Sequence, residues 1–152
     1  MRFSEARHHE VVSTTTATKV ARLEGFVVAA RPGRITALRL GKVDGDGNLL
    51  SWGDVTAFGR DAITIQDPAT IHAAGDDAER AESAPDHDML GKPLLSERGD
   101  GLGKVVDVDF DVRTGEVIAL ITDRDEIAGR LLLGVGSYAV VVAIDEPPDP
   151  GA

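Results

Sequence analysis

Apolar residues alternate with polar ones, or run in short blocks closed by Gly, Asp, Asn and Pro, so the period is two rather than 3.6. In the first half this pattern predicts strands over residues 11–13, 20–30, 34–42, 49–51 and 62–65. In the second half it predicts strands over residues 93–96, 103–110, 116–123, 129–134 and 139–144. The two sets repeat. Val20-Ala21-Arg22-Leu23-Glu24-Gly25-Phe26 lines up with Leu102-Gly103-Lys104-Val105-Val106-Asp107-Val108, and Arg31-Pro32-Gly33-Arg34-Ile35-Thr36-Ala37-Leu38 with Arg113-Thr114-Gly115-Glu116-Val117-Ile118-Ala119-Leu120, both at an offset of 82 positions. On this register Leu49-Leu50 meets Leu131-Leu132; the second copy then runs about five residues shorter before Ala139-Val140-Val141-Val142 meets Ala62-Ile63-Thr64-Ile65. A fixed-offset repeat identifies the folding unit. The expected fold is all-β, two small barrels in tandem and packed together, because a core of about 65 residues is marginal by itself.

The expected boundaries are unit one at 1–66, an acidic linker at 67–89, unit two at 90–146 and a disordered tail at 147–152. The linker mixes Ala, Asp, Glu, His and Pro with almost no large apolar residue, which predicts a solvated segment with at most a short helix over residues 76–83. Arg31-Pro32-Gly33-Arg34 and Val112-Arg113-Thr114-Gly115 each place Gly where a tight hairpin needs a positive φ. Asp44-Gly45-Asp46-Gly47-Asn48 predicts another hairpin.

Charge narrows the partners. The net charge is -10, and residues 67–89 carry seven acids against one base while residues 90–152 carry twelve against six. Phosphate contacts dominate nucleic-acid affinity, so direct nucleic-acid contact is not expected, and only unit one offers a weakly basic face. There is no cysteine, which excludes disulfides, thiol nucleophiles and thiolate metal sites. No apolar run reaches the ~18 residues of a membrane span, and the expected location is cytoplasmic.

The candidate chemistry reduces to structural readings. Asp107, Asp109 and Asp111 alternate as calcium ligands do, but a calcium loop begun at Asp107 needs Gly and Glu where Val112 and Ile118 stand. Strand periodicity explains them instead, with Val106, Val108 and Phe110 facing the core and the three carboxylates facing water. The loop from Asp44 to Asn48 fails the same test at Leu49 and Val55. Gly99-Asp100-Gly101-Leu102-Gly103-Lys104 has Arg98 and Val105 where a phosphate loop needs Gly and Ser or Thr, and a strand follows rather than a helix. His8, His9, His72 and His87 fall in the N-terminal segment and the linker, without the short fixed spacing that zinc needs. No catalytic residue, metal or cofactor is expected.

Leu90-Gly91-Lys92-Pro93-Leu94-Leu95, Gly101-Leu102-Gly103-Lys104-Val105-Val106-Asp107-Val108-Asp109-Phe110-Asp111 and Thr114-Gly115-Glu116-Val117-Ile118-Ala119-Leu120 together resemble the PRC-barrel domain, found in the photosynthetic reaction centre H subunit and in a ribosome maturation factor. Unit one resembles a more diverged copy that keeps the closing segment from Leu50-Ser51-Trp52-Gly53-Asp54-Val55 to Ile65. In unit two, Leu133-Gly134-Val135-Gly136-Ser137-Tyr138 replaces the longer loop. The resemblance implies a barrel of about six strands whose roles are protein contact and assembly, with no shared catalytic site. It implies a non-enzymatic module that binds a protein partner or itself, or, as the alternative, a ribosome-associated factor contacting a basic ribosomal protein. Trp52, Phe58 and Tyr138 are the large side chains near the closing loops; they predict either plugs of the barrel ends or an interface anchor. The expected interaction surface is Trp52, Asp54, Val55 and Phe58.

Overall fold

The computed structural model describes residues 1–43 and 47–144. Asp44 and Asp46 of the predicted hairpin, and the tail from residue 147, lie outside the described residues.

The first unit runs α1 (Phe3–Ala6), β1 (Glu10–Ser13), β2 (Lys19–Ala29), β3 (Arg34–Gly41), β4 (Leu49–Ser51), a 3-10 turn (Trp52–Asp54), β5 (Val55–Phe58) and β6 (Ala62–Ile65). The second runs β7 (Pro93–Ser96), β8 (Gly101–Phe110), β9 (Val117–Thr122), β10 (Glu126–Ala128), a 3-10 turn (Gly129–Leu131), β11 (Leu132–Val135) and β12 (Val140–Val142). Between them lies α2 (Asp77–Glu82), whose first turn is capped by Asp76 Oδ1 accepting from Glu79 N at 2.7 Å. The sheets have the same six-strand order, β4-β3-β2-β1-β6-β5 and β10-β9-β8-β7-β12-β11. Neighbours pair antiparallel except β1 with β6 and β7 with β12, which pair parallel. The fold is all-β, as the period-two pattern predicts.

The structure corrects the register of the repeat. β2 and β8 keep the offset of 82, but β4 is followed by Trp52–Asp54 as β10 is followed by Gly129–Leu131, an offset of 77. The second copy is therefore shorter in the β3–β4 turn, before Leu131, and not after it. Leu49 corresponds to Glu126, whose polar side chain hid β10 from the apolar count; β5, half exposed, was hidden in the same way.

A second correction lies in β8. Val106 is 48% exposed, whereas Asp107 is 8% exposed and Val105, Val108 and Phe110 are fully buried. The pairing with β9 shifts between Val105 and Asp107 and again between Asp109 and Phe110. Each bulge inserts a residue and reverses the alternation, which a simple period of two does not anticipate.

One hydrophobic core spans both sheets, including Leu23, Phe26 and Leu38 from the first and Val108, Phe110 and Leu120 from the second. The hairpin tips meet reciprocally: Ile35 N donates to Gly115 O and Val117 N donates to Gly33 O, both at 2.8 Å. An offset of 82 converts each bond into the other, so the units face one another across a pseudo-two-fold axis passing between Arg34 and Glu116, which form a bridge. Gly33 and Gly115 sit at φ 82° and 78°, where a side chain is strained. The glycines predicted from hairpin chemistry thus also let the tips of the two units touch.

The N-terminal arms are exchanged about this axis. Preceding β1, α1 lies on β8, where Ser4 N donates to Asp107 Oδ1 at 3.1 Å and the Ser4 hydroxyl to Asp107 Oδ2. Preceding β7, Asp88 and Met89 reach the first unit. There Arg39, 8% exposed, holds Asp88 through Nη1 to Oδ1 and Nη2 to Oδ2, both 2.8 Å, and Met89 enters the core. The guanidinium rests on Gly25, where a Cβ would stand 2.5 Å from Nη2. The segment expected to be solvated is also tied at its start, by reciprocal bonds between Leu49 and His72 of 2.9 and 2.8 Å. α2 itself buries no residue.

Candidate interaction surface at the seam

Four of the aromatic side chains that meet in the seam come from the first unit and one from the second. Phe3 stacks on Phe26 with centroids 3.9 Å apart, and Phe110 lies 5.5 Å from Phe3, 5.4 Å from Phe26, 5.4 Å from Phe58 and 6.4 Å from Trp52. Trp52 and Phe58 stack at 5.8 Å. Tilted and stacked pairs each contribute about 0.5–1.5 kcal/mol beyond their burial, so this group is a principal tie between the units.

The four residues expected to form an interaction surface are therefore placed in two environments. Phe58 is buried and Trp52 half-buried, its ring lying against Gly115, where a Cβ would stand 3.0 Å from it. Asp54 is exposed and Val55 half-buried. The 3-10 turn Trp52–Asp54 makes this division: it reverses the chain between β4 and β5, closed by Val55 N donating to Trp52 O. Trp52, Val55, Thr56, Ala57 and Phe58 then line one wall of an open groove of about 290 Å³, with Val112 and Arg113 on the other. Tyr138, 77% exposed, does not plug a barrel end and lies in the β11–β12 connection, outside this seam.

The aspartate triplet separates by role. Asp107 receives the N-terminal N–H of α1, and its Oδ1 also accepts from Val108 N at 2.9 Å. Asp109 Oδ1 pairs with the Met1 amino group at 3.2 Å. Asp111 shapes the β8–β9 turn: its Oδ1 accepts from Arg113 N at 2.7 Å, and this bond, assisted by Thr114 N–H and the Arg113 charge, holds its carboxyl below the usual range. All three are occupied by hydrogen bonds, those of Asp107 and Asp109 across the seam and those of Asp111 within its turn. Among the described residues, no group of three or more His, Cys, Asp or Glu is arranged to hold a metal ion.

Sequence reasoning missed two seam contributors, Phe3 and Arg39. Phe3 carries no neighbouring apolar pattern, and Arg39 reads as the polar member of an alternation in β3. The available signal was Gly25 opposite Arg39, a small residue in a strand interior.

Residues 82–145 match the family model of the PRC-barrel domain. The second unit is a PRC-barrel domain. The matched stretch begins in α2 and so includes the arm through Asp88 and Met89 that enters the first unit. No curated protein matches the chain. PRC-barrel domains are, in general, modules of protein interaction and assembly rather than catalysis. No helix among the described residues is long and apolar enough to cross a membrane.

Proposed function

We propose that this protein is a non-enzymatic interaction module made of two PRC-type barrels, the first a diverged copy of the second, and that it binds a protein partner through Trp52, Asp54, Val55 and Phe58. The carrying observation is the groove beside Trp52, continuous with the aromatic seam and open to solvent. A buried aromatic anchor beside an accessible apolar wall and an exposed charge is the usual composition of a protein-binding hot spot. The common strand order supports the duplication. The acidic balance of the chain favours a partner with basic surface around the contact.

The test is affinity capture from native lysate, with and without RNase, at two salt concentrations. Trp52→Ala would loosen the seam as well as the surface, so the probing change is Asp54→Lys, whose side chain is exposed. A partner retained after RNase and lost with Asp54→Lys is the expected result. Ribosomal material released by RNase, with Asp54→Lys indifferent, would count against this reading and favour the ribosome-associated one.

A further inference from the structure

We propose that β5 is a strand-addition site, accepting an extended peptide that alternates aliphatic with polar side chains and carries one carboxylate. This rests on the interaction surface proposed above and specifies its ligand.

The two sheets end in four edge strands, β4, β5, β10 and β11. An unpaired edge is a template for another strand, and proteins usually cover it or place charge on it. β4 is covered by His72, through the reciprocal bonds with Leu49. β11 packs against β2 of the first unit. β10 opens on the charged Glu126. β5, Val55-Thr56-Ala57-Phe58, carries neither charge nor proline, and Thr56 and Ala57 are exposed. It pairs with β6 on one side, and no backbone hydrogen bond outside that ladder involves residues 56–58 among the described residues. A register shift between Val55 and Ala57 is its one irregularity.

The pseudo-two-fold axis gives this edge a counterpart in the second unit. It relates β5 and β8 to β11 and β2. In the second pair β11 packs against β2; in the first, Phe58 of β5 meets Phe110 of β8 in the core, and a groove of about 290 Å³ remains beside them, lined by β5 and the turn after β8. That volume is at the lower limit for a small-molecule site and suits a few residues of extended chain. Trp52, Val55, Phe58 and Val112 offer apolar contact to every second side chain of such a strand, and its backbone would pair with β5.

Arg113 supplies the charge preference. It is exposed on the far wall and has no carboxylate within salt-bridge distance among the described residues; Asp111, its electrostatic neighbour, is engaged by the N–H groups of the turn. A carboxylate on the incoming strand would pair with the guanidinium.

The test pans a display library of random linear ten-residue peptides against the full chain. Enrichment of sequences alternating aliphatic and polar residues, with one Asp or Glu, is expected. The selected peptide should slow hydrogen exchange at the Thr56, Ala57 and Phe58 amides at least tenfold and lose binding at least tenfold with Ala57→Lys. Arg113→Glu should weaken it comparably, and replacing the peptide's acid by Lys should restore binding to that variant. Binding that depends on Asp54 yet leaves β5 exchange unchanged, or that selects a helical apolar spacing, would overturn strand addition and retain the surface. No enrichment, or indifference to every one of these changes, would overturn both. Self-association of the free chain that Ala57→Lys abolishes would assign the edge to a second copy instead.

Discussion

Asp111 illustrates how a residue's environment decides what its chemistry does. Its carboxyl is held below the ordinary value of 3.8 chiefly by the N–H of Arg113. The charged form therefore favours the folded state above pH 3.8, and that contribution fades as pH falls from 3.8 through the lowered folded value. An NMR titration of the Asp111 carboxyl should give a midpoint below 3.8, and a midpoint at or above it would contradict the turn geometry. The Arg39–Asp88 pair is a stronger tie, because Arg39 is nearly buried while the Asp88 side chain keeps 29% exposure. Asp88→Ala leaves the guanidinium without two charge-assisted bonds, and urea unfolding should show a loss of about 2–3 kcal/mol. The aspartates were partly legible in the sequence, and the Arg39–Asp88 pair was not. The run Asp107, Asp109, Asp111 was visible as strand-spaced and not as a calcium loop, yet the inward turn of Asp107 was not, because bulges leave no signature in a period-two count.

Among the elements, the β2–β3 and β8–β9 hairpins were the most predictable and the edge strands β5 and β10 the least. Gly33 and Gly115 marked the β2–β3 and β8–β9 turns because a positive φ restricts the choice of residue. Gly115→Ala combines that strain with a contact of 3.0 Å to the Trp52 ring, and denaturant melts should show a loss of about 1–3 kcal/mol with the β content retained. β5 and β10 escaped the pattern because an edge strand needs no alternating apolar face to be held in place. For the same reason Ala57→Lys on β5 should change stability by less than about 0.5 kcal/mol, which the same melts can check.

For the whole molecule, the shared core predicts cooperativity. Phe110 contacts four rings of the first unit, so truncating it opens a cavity bordered by both sheets. Phe110→Ala should cost about 3–5 kcal/mol. In calorimetry the native chain should unfold in one transition, and two resolved transitions would show that the seam is weaker than its packing implies.

The repeat, the all-β fold and the PRC-barrel character of the second unit followed from the sequence alone, because strand periodicity and turn residues are local and recur from one unit to the next. The seam did not. That Phe3 would stack on Phe26, that Arg39 would seize Asp88, and that β5 would be left open while β11 closed on β2 depend on how two similar units meet. Docking orientation is decided by side chains far apart in the chain, and only the tertiary structure brings them together.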